Sequence, residues 1–192
     1  PMKHIQIDIE TLGTRFDAVI FAIGAVAFDP ETGKTGGEFY ELIDPACPHN
    51  LWRLKDHSTV LWWDQQSSEA RTELSKSCTQ GSPLDVSLTH LLNYIATVRP
   101  SRVWANGAVF DIGILEHAFN QCSLSIPWKY NAIRDMRTLR DLGLADTSEI
   151  PDSPVAHHAL WDAKWQAKYT SLVFQRLHAL KWSSSGVEPD RE

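Results

Sequence analysis

The sequence predicts an α/β fold, one mixed sheet whose strands come first in a consecutive run and then between the helices that cover it. Three observations carry this. Residues 3–9 alternate, with Ile5, Ile7 and Ile9 on one face and His4, Gln6 and Asp8 on the other, which is the period of a strand. Two more extended runs follow after short links, over 19–28 and 36–43. Beyond residue 58 the apolar period lengthens to that of helices, interrupted by brief strand-like stretches. A chain of 192 residues, 43% hydrophobic and 22% charged, has the size and composition of one globular domain, expected over residues 2–182. Pro1, ahead of Met2, is left out of the fold reading.

Taken in order, the run 19–28 is apolar and broken by Gly24, and 29–33 (DPETG) is turn chemistry, so the first three strands read as an antiparallel meander. Ser58 is placed to cap a short helix carrying Trp62 and Trp63. Helices are expected over 67–76 and 83–98, the latter with Leu84, Leu88, Leu91, Leu92 and Ile95 on one stripe. A fourth strand is expected at 102–105, a helix at 110–121 and a fifth strand at 128–130. A helix over 135–143, ended by Gly143, and a long last helix from about residue 159 to 180 complete the pattern. The tail, 183–192, has the Ser, Gly, Pro and charge of a disordered segment.

No apolar run approaches the length of a membrane span, and no secretory leader stands out. Cys47, Cys78 and Cys122 are widely spaced and form no CxxC pair, which argues against a disulfide framework or a zinc ribbon. A reducing cytoplasm is the expected setting. The formal net charge of −6 is the wrong sign for gripping a long duplex through many phosphates. A nucleic-acid partner therefore implies a small local site with metal ions offsetting the negative charge; on charge alone, a soluble acidic enzyme with no phosphate ligand is the preferred reading.

Three segments carry candidate chemistry. Asp8 and Glu10, two apart on the first strand, point to the same face, about 7 Å apart at the Cα atoms. Paired acids at the end of an apolar strand suit a hard divalent cation, although a DxE alone is equally at home on a solvated strand. Asn106–Asp111, NGAVFD, falls where the fourth strand gives way to a helix, the place where α/β sheets collect their sites; Asp111 there also suits the helix dipole. In the third segment, HHALWD, His157 and Asp162 would lie on different sides of a continuous helix. They converge only if His157 belongs to the loop before it, a boundary that Pro151 and Pro154 support; for this segment alone, a surface histidine beside a solvated helical acid is the better reading.

Together these segments resemble the DEDDh branch of the DnaQ-like 3′–5′ exonuclease family, whose motifs are DxE, an Asn/Gly-rich stretch ending in FD, and HxAxxD. They stand here in order as DIE, NGAVFD and HHALWD, and the resemblance spans residues 5 to about 170. Residues 59–65 (TVLWWDQ), Glu69-Ala70-Arg71 and residues 135–139 (DMRTL) are most similar to the small stand-alone members, which include phage exodeoxyribonuclease A and a bacterial exoribonuclease. The resemblance implies a ribonuclease-H-like three-layer fold, with a mixed sheet of five to six strands flanked by helices.

It also implies two divalent cations, Mg²⁺ or Mn²⁺, held by Asp8, Glu10, Asp111 and Asp162. His157 would be the general base, the role that histidine fills most often. His158 competes for that role, but its spacing to Asp162 does not fit the motif. Thr11, Leu12, Trp63, Asn106 and Phe110 are the expected substrate contacts. Adjacent tryptophans cannot both face inward on a helix, so one of Trp62 and Trp63 packs in the core and the other stacks on substrate. Trp104 and Trp165 are assigned to the core, and Arg134, Arg137 and Arg140 to a solvated helix face.

The expected substrate is single-stranded nucleic acid with a 3′ end, DNA ahead of RNA, cleaved to nucleoside 5′-monophosphates. An exoribonuclease is the first rival. A silent end-binding module is the second, disfavoured because all four acids and the histidine are present. A zinc hydrolase is dismissed because the eight histidines show no HExxH-like spacing. No membrane partner is expected, and a homodimer is left open.

Overall fold

The computed structural model describes residues 2–185. Its sheet has five strands in the order β3-β2-β1-β4-β5. They are β1 (His4–Thr11), β2 (Ile20–Phe28), β3 (Thr35–Leu42), β4 (Arg102–Ala105) and β5 (Ile133–Asp135). The first three form the antiparallel meander, while β4 joins β1, and β5 joins β4, in parallel. The helices are α1 (His57–Asp64), α2 (Ser68–Gln80), α3 (Leu84–Val98), α4 (Ala108–Gln121), α5 (Met136–Asp141) and α6 (Ala159–Ser185).

The sheet is covered on both sides. Ile5, Ile7 and Ile9 pack with Leu84, Leu88 and Leu91 of α3 and Ile112, Leu115 and Phe119 of α4. On the other side Ala163 and Ala167 of α6 meet Val26, Phe28 and Trp104. This double cover explains β2, IFAIGAVAF, in which every residue is buried and none need be polar. Gly24, read from sequence as an interruption, is instead a contact point. A Cβ there would lie 2.2 Å from the backbone of Ala159 and Leu160, so its absence lets the start of α6 rest on β2. Gly24 pairs with Asp8, and the same close approach brings α6 beside the acids of β1.

Several boundaries differ from the sequence reading. The fifth strand is not at 128–130. Trp128 is buried because it packs edge-on against Phe119 and donates its indole N–H to Glu116 at 2.8 Å, and Tyr130 opens a 3-10 turn. Pairing with β4 begins only at Ile133. Asp135 is not the first residue of a helix but the cap of α5, its carboxylate accepting the Arg137 N–H at 2.7 Å. The last helix continues to Ser185, past the expected end at 180. Of the tail expected to be disordered, 183–185 are therefore helical, and 186–192 lie outside the described residues. No helix among the described residues is long and apolar enough to cross a membrane.

Candidate active site

At the end of β1, Asp8 and Glu10 share a face, and the register with β2 shifts just after Glu10. Asp162 arrives from the first turn of α6, and single oxygens of Asp8, Glu10 and Asp162 lie within 4.8 Å of one another. Asp111 comes from the first turn of α4 and accepts the N–H of Ile9, the residue between the two acids of β1, at 3.3 Å. Gly107 turns the chain into that helix at φ +103, a conformation that favours glycine. All four acids line one cavity of about 350 Å³, with Asn106, Phe110, His157, Trp165 and Gln166 around them.

The two histidines diverge. His157 sits in the loop ahead of α6 in a left-handed conformation, φ +58, that costs a non-glycine residue about 1 kcal/mol. Its N–H donates to the Asp162 carboxylate at 3.1 Å, which holds the loop to the helix it precedes. Its ring stands edge-on to Trp62, with centroids 4.8 Å apart, and lines the acid cavity. His158 turns the other way, stacked on Tyr40 at 4.3 Å and facing Glu73 at 3.8 Å. Burial lowers its pKa, which favours the neutral imidazole.

Concentrated negative charge dominates the site. Burial, with Asp111, Glu10 and Asp162 nearby, pushes Asp8 well above the usual carboxylate range, and burial together with Asp162 and Asp111 does the same to Glu10. Asp111 is pushed up to about 7, chiefly by burial, and burial also raises Asp162. One hydrogen bond opposes this at Asp8. Gln166 donates to its Oδ1 at 2.7 Å, and its own amide oxygen accepts from Gln6 at 2.7 Å. Buried acids crowded in this way are costly without a cation. The buried Oε1 of Glu10 has no hydrogen-bond partner, and the donor set is entirely of hard oxygens. These residues fit divalent cations of the Mg²⁺ or Mn²⁺ type.

The model of the 3′–5′ exoribonuclease Rv2179c-like domain matches residues 3–174. The chain belongs to this family. Among curated proteins, an exodeoxyribonuclease of Enterobacteria phage T4 is 32% identical to the Rv2179c-like chain over 125 residues. The match covers 59% of this chain and 54% of the phage protein, so the chain spans about half the length of the curated relative it matches. The nuclease domain of 3′hExo, described as a DEDDh family member bound to rAMP, superposes with a TM-score of 0.60 at 12% identity, covering 90% of this chain and 91% of that one. E. coli Exonuclease I in complex with a dT13 oligonucleotide does so at 0.70 and 15%, covering 94% and 42%. These likenesses show the DnaQ-like, ribonuclease-H-like fold.

In this Rv2179c-like chain Asp8, Glu10, Asp111, His157 and Asp162 meet at one cavity, and Asn106 and Phe110 line it too. The remaining expected contacts divide. Thr11 lines an adjoining cavity of about 340 Å³ with Gly13, Ser58, Trp62, Trp63 and Phe110. Leu12 does not, because its side chain is buried with Val19, Phe21 and Trp63. Trp63 is the inward tryptophan of its pair, 2% exposed, its indole N–H given to the Thr11 carbonyl at 2.8 Å. It forms wall rather than platform, and Trp62, 42% exposed, is the one offered to a ligand. Trp165 is half core: it packs on the cluster of Met136, Ile150, Tyr169 and Val173, stacked on Tyr169, and its other side lines the acid cavity. Gln166 was missed, yet it lies four residues after Asp162 on one helix, a spacing that puts it on the same face.

Proposed function

We propose that this chain is a metal-dependent 3′–5′ exonuclease that hydrolyses the terminal phosphodiester of single-stranded nucleic acid and releases nucleoside 5′-monophosphates. The observation that carries the reading is the convergence of Asp8, Glu10 and Asp162 from opposite ends of the chain, with Asp111 and His157 on the same cavity. Asp8, Glu10 and Asp162 would hold one divalent cation, and Asp8 with Asp111 a second. Bound there, the cations would supply Lewis acidity for the attacking water and offset charge on the departing 3′-oxygen.

The chain's own side chains do the rest. His157, held by its N–H to Asp162, accepts the proton of the attacking water at a ring nitrogen. His158 is committed to Tyr40 and Glu73 and takes no part in that transfer. Thr11 and Trp62 receive the terminal nucleotide in the adjoining cavity, and Phe110 stands between it and the acids. Ring contacts recognise any base, as a general exonuclease requires.

DNA is our favoured substrate, on the strength of the phage exodeoxyribonuclease. RNA is the second reading, favoured by the description of the family. We place the reaction in the cytoplasm. The test is digestion of single-stranded DNA and RNA of one sequence, labelled at the 5′ end, with Mg²⁺, Mn²⁺ or EDTA, beside Asp8→Asn. A descending ladder that needs both the cation and Asp8 supports the reading, and the faster substrate chooses between the two acids. A wild type that gives no ladder on either overturns it.

A further inference from the structure

A second depression, about 770 Å³, runs from the acid cavity across the start of α4, with Phe16, Val109 and Arg137 on its walls. We infer that it is the track for the substrate strand on the 5′ side of the scissile bond, an inference that rests on the exonuclease reading above. Continuity is the first argument. Phe110 lines this groove, the acid cavity and the terminal-nucleotide cavity alike, and Arg137 lines both the groove and the acid cavity. A strand whose last nucleotide lies on one side of Phe110 leaves on the other side, into this groove.

The chemistry of the walls is the second argument. Phe16 is 59% exposed and Val109 76%, apolar surface that water wets at a cost unless something covers it. The Phe16 ring lies against Gly113 so closely that a Cβ there would stand 2.8 Å from Cε1. Its loop is pinned from beneath. Arg53, 5% exposed, donates to the carbonyls of Phe16 at 3.1 Å, Ala18 at 2.6 Å and Ile114 at 3.4 Å. A buried guanidinium that ties an exposed ring to a helix makes a rigid platform, the kind on which unpaired bases stack without sequence preference.

Charge is the third. Gly107 has no side chain, and the Arg137 guanidinium packs over it, 3.0 Å from where a Cβ would sit. Among the described residues Arg137 forms no ion pair within 4.0 Å, and its charge is felt by Asp111 across the acid cavity that both line. The groove's two acids are already engaged. Asp17 faces Arg15 at 3.3 Å, and Asp135 accepts the backbone N–H groups of Ala108 and Arg137. One unpaired cation beside an apolar floor suits a single strand, with a phosphate on Arg137 and a base on Phe16. It is too little charge for a duplex.

The experiment compares two substrates with Mn²⁺, the p-nitrophenyl ester of thymidine 5′-monophosphate, which has nothing upstream, and a single-stranded octanucleotide of the nucleic acid that the wild type prefers. Phe16→Ala should raise the octanucleotide KM, relative to that of the ester, about tenfold. Val109→Glu should raise the same ratio and Val109→Lys lower it, each about fivefold at low salt, with both shifts collapsing near about 0.5 M salt. A ratio unchanged in all three variants would overturn the track. Failure of the exonuclease reading looks different, because the wild type would then be inert on both substrates.

Discussion

On one face of β1, Ile5, Ile7 and Ile9 close against α3 and α4 and leave no polar atom behind. The other face is shut in as well, by α6, yet it carries Gln6, Asp8 and Glu10. Gln6 is fully buried and its amide oxygen has no hydrogen-bond partner, and neither has one oxygen of Glu10. The first face gains stability from burial, at about 25 cal/mol per Å² of apolar surface. The second loses some of it, because like charges are crowded where water screens them poorly. The strand thus holds on one side what it spends on the other, and the candidate site lies on the costly side.

The difference can be tested by substituting neighbours. Asp8→Asn should lower the rate of nucleotide release by about a thousandfold or more, since a ligand is lost, while in EDTA its melting temperature should match or exceed that of the wild type. A mutant that is both inactive and unfolded would make the two faces equivalent. His157→Ala should cut turnover by about a hundredfold to ten-thousandfold. Cation affinity, read by calorimetry, should stay within a few-fold, because the imidazole is not among the ligands. Loss of the same size from His158→Ala would move the base to the other histidine. Ile7→Ala should show the reverse pattern, costing about 2–5 kcal/mol in urea unfolding while the folded fraction keeps its turnover.

The smallest effect concerns pH. Asp111 is raised from 3.8 to about 7, so between those values the folded protein keeps a proton that the unfolded chain has released. Stability from this group is therefore full below pH 3.8 and falls as pH rises through about 7. His4, lowered to about 4, works in the opposite sense below 6.5, so the comparison must be with Asp111→Asn. In EDTA the wild type should lose melting temperature relative to Asp111→Asn between pH 5 and pH 8 by a few degrees. Mg²⁺ should restore most of that loss at pH 8 and little at pH 5. Equal slopes in the two proteins would show that Asp111 is not strained when ionised.

Much of this was legible in the chain itself. The alternation of 3–9 and the apolar run of β2 announced the central strands, because burial on both faces leaves few polar positions to confuse the pattern. The four acids and His157 could be named because DIE, NGAVFD and HHALWD stand in the order of the family's motifs, whereas each segment alone reads as well or better as solvated surface. What stayed hidden depends on contacts between elements. Trp62 and Trp63 are indistinguishable by type, and only the carbonyl of Thr11 decides which indole turns inward. Leu12 follows the acids directly, but the register shift after Glu10 sends it into the core. The position of β5 depended on where a three-residue strand could meet β4, and Trp128 mimicked it through packing on α4.

The contact of Gly24 with the start of α6 has a consequence for how the protein comes into being. During synthesis Asp8, Glu10 and Asp111 emerge long before His157 and Asp162, which enter the site only when the last helix settles on the completed sheet. A chain still being translated, or one cut short before residue 157, has three of the four acids and neither His157 nor Asp162. The acid cavity is thus complete only once the chain has brought its last described helix back onto the strand with which it began.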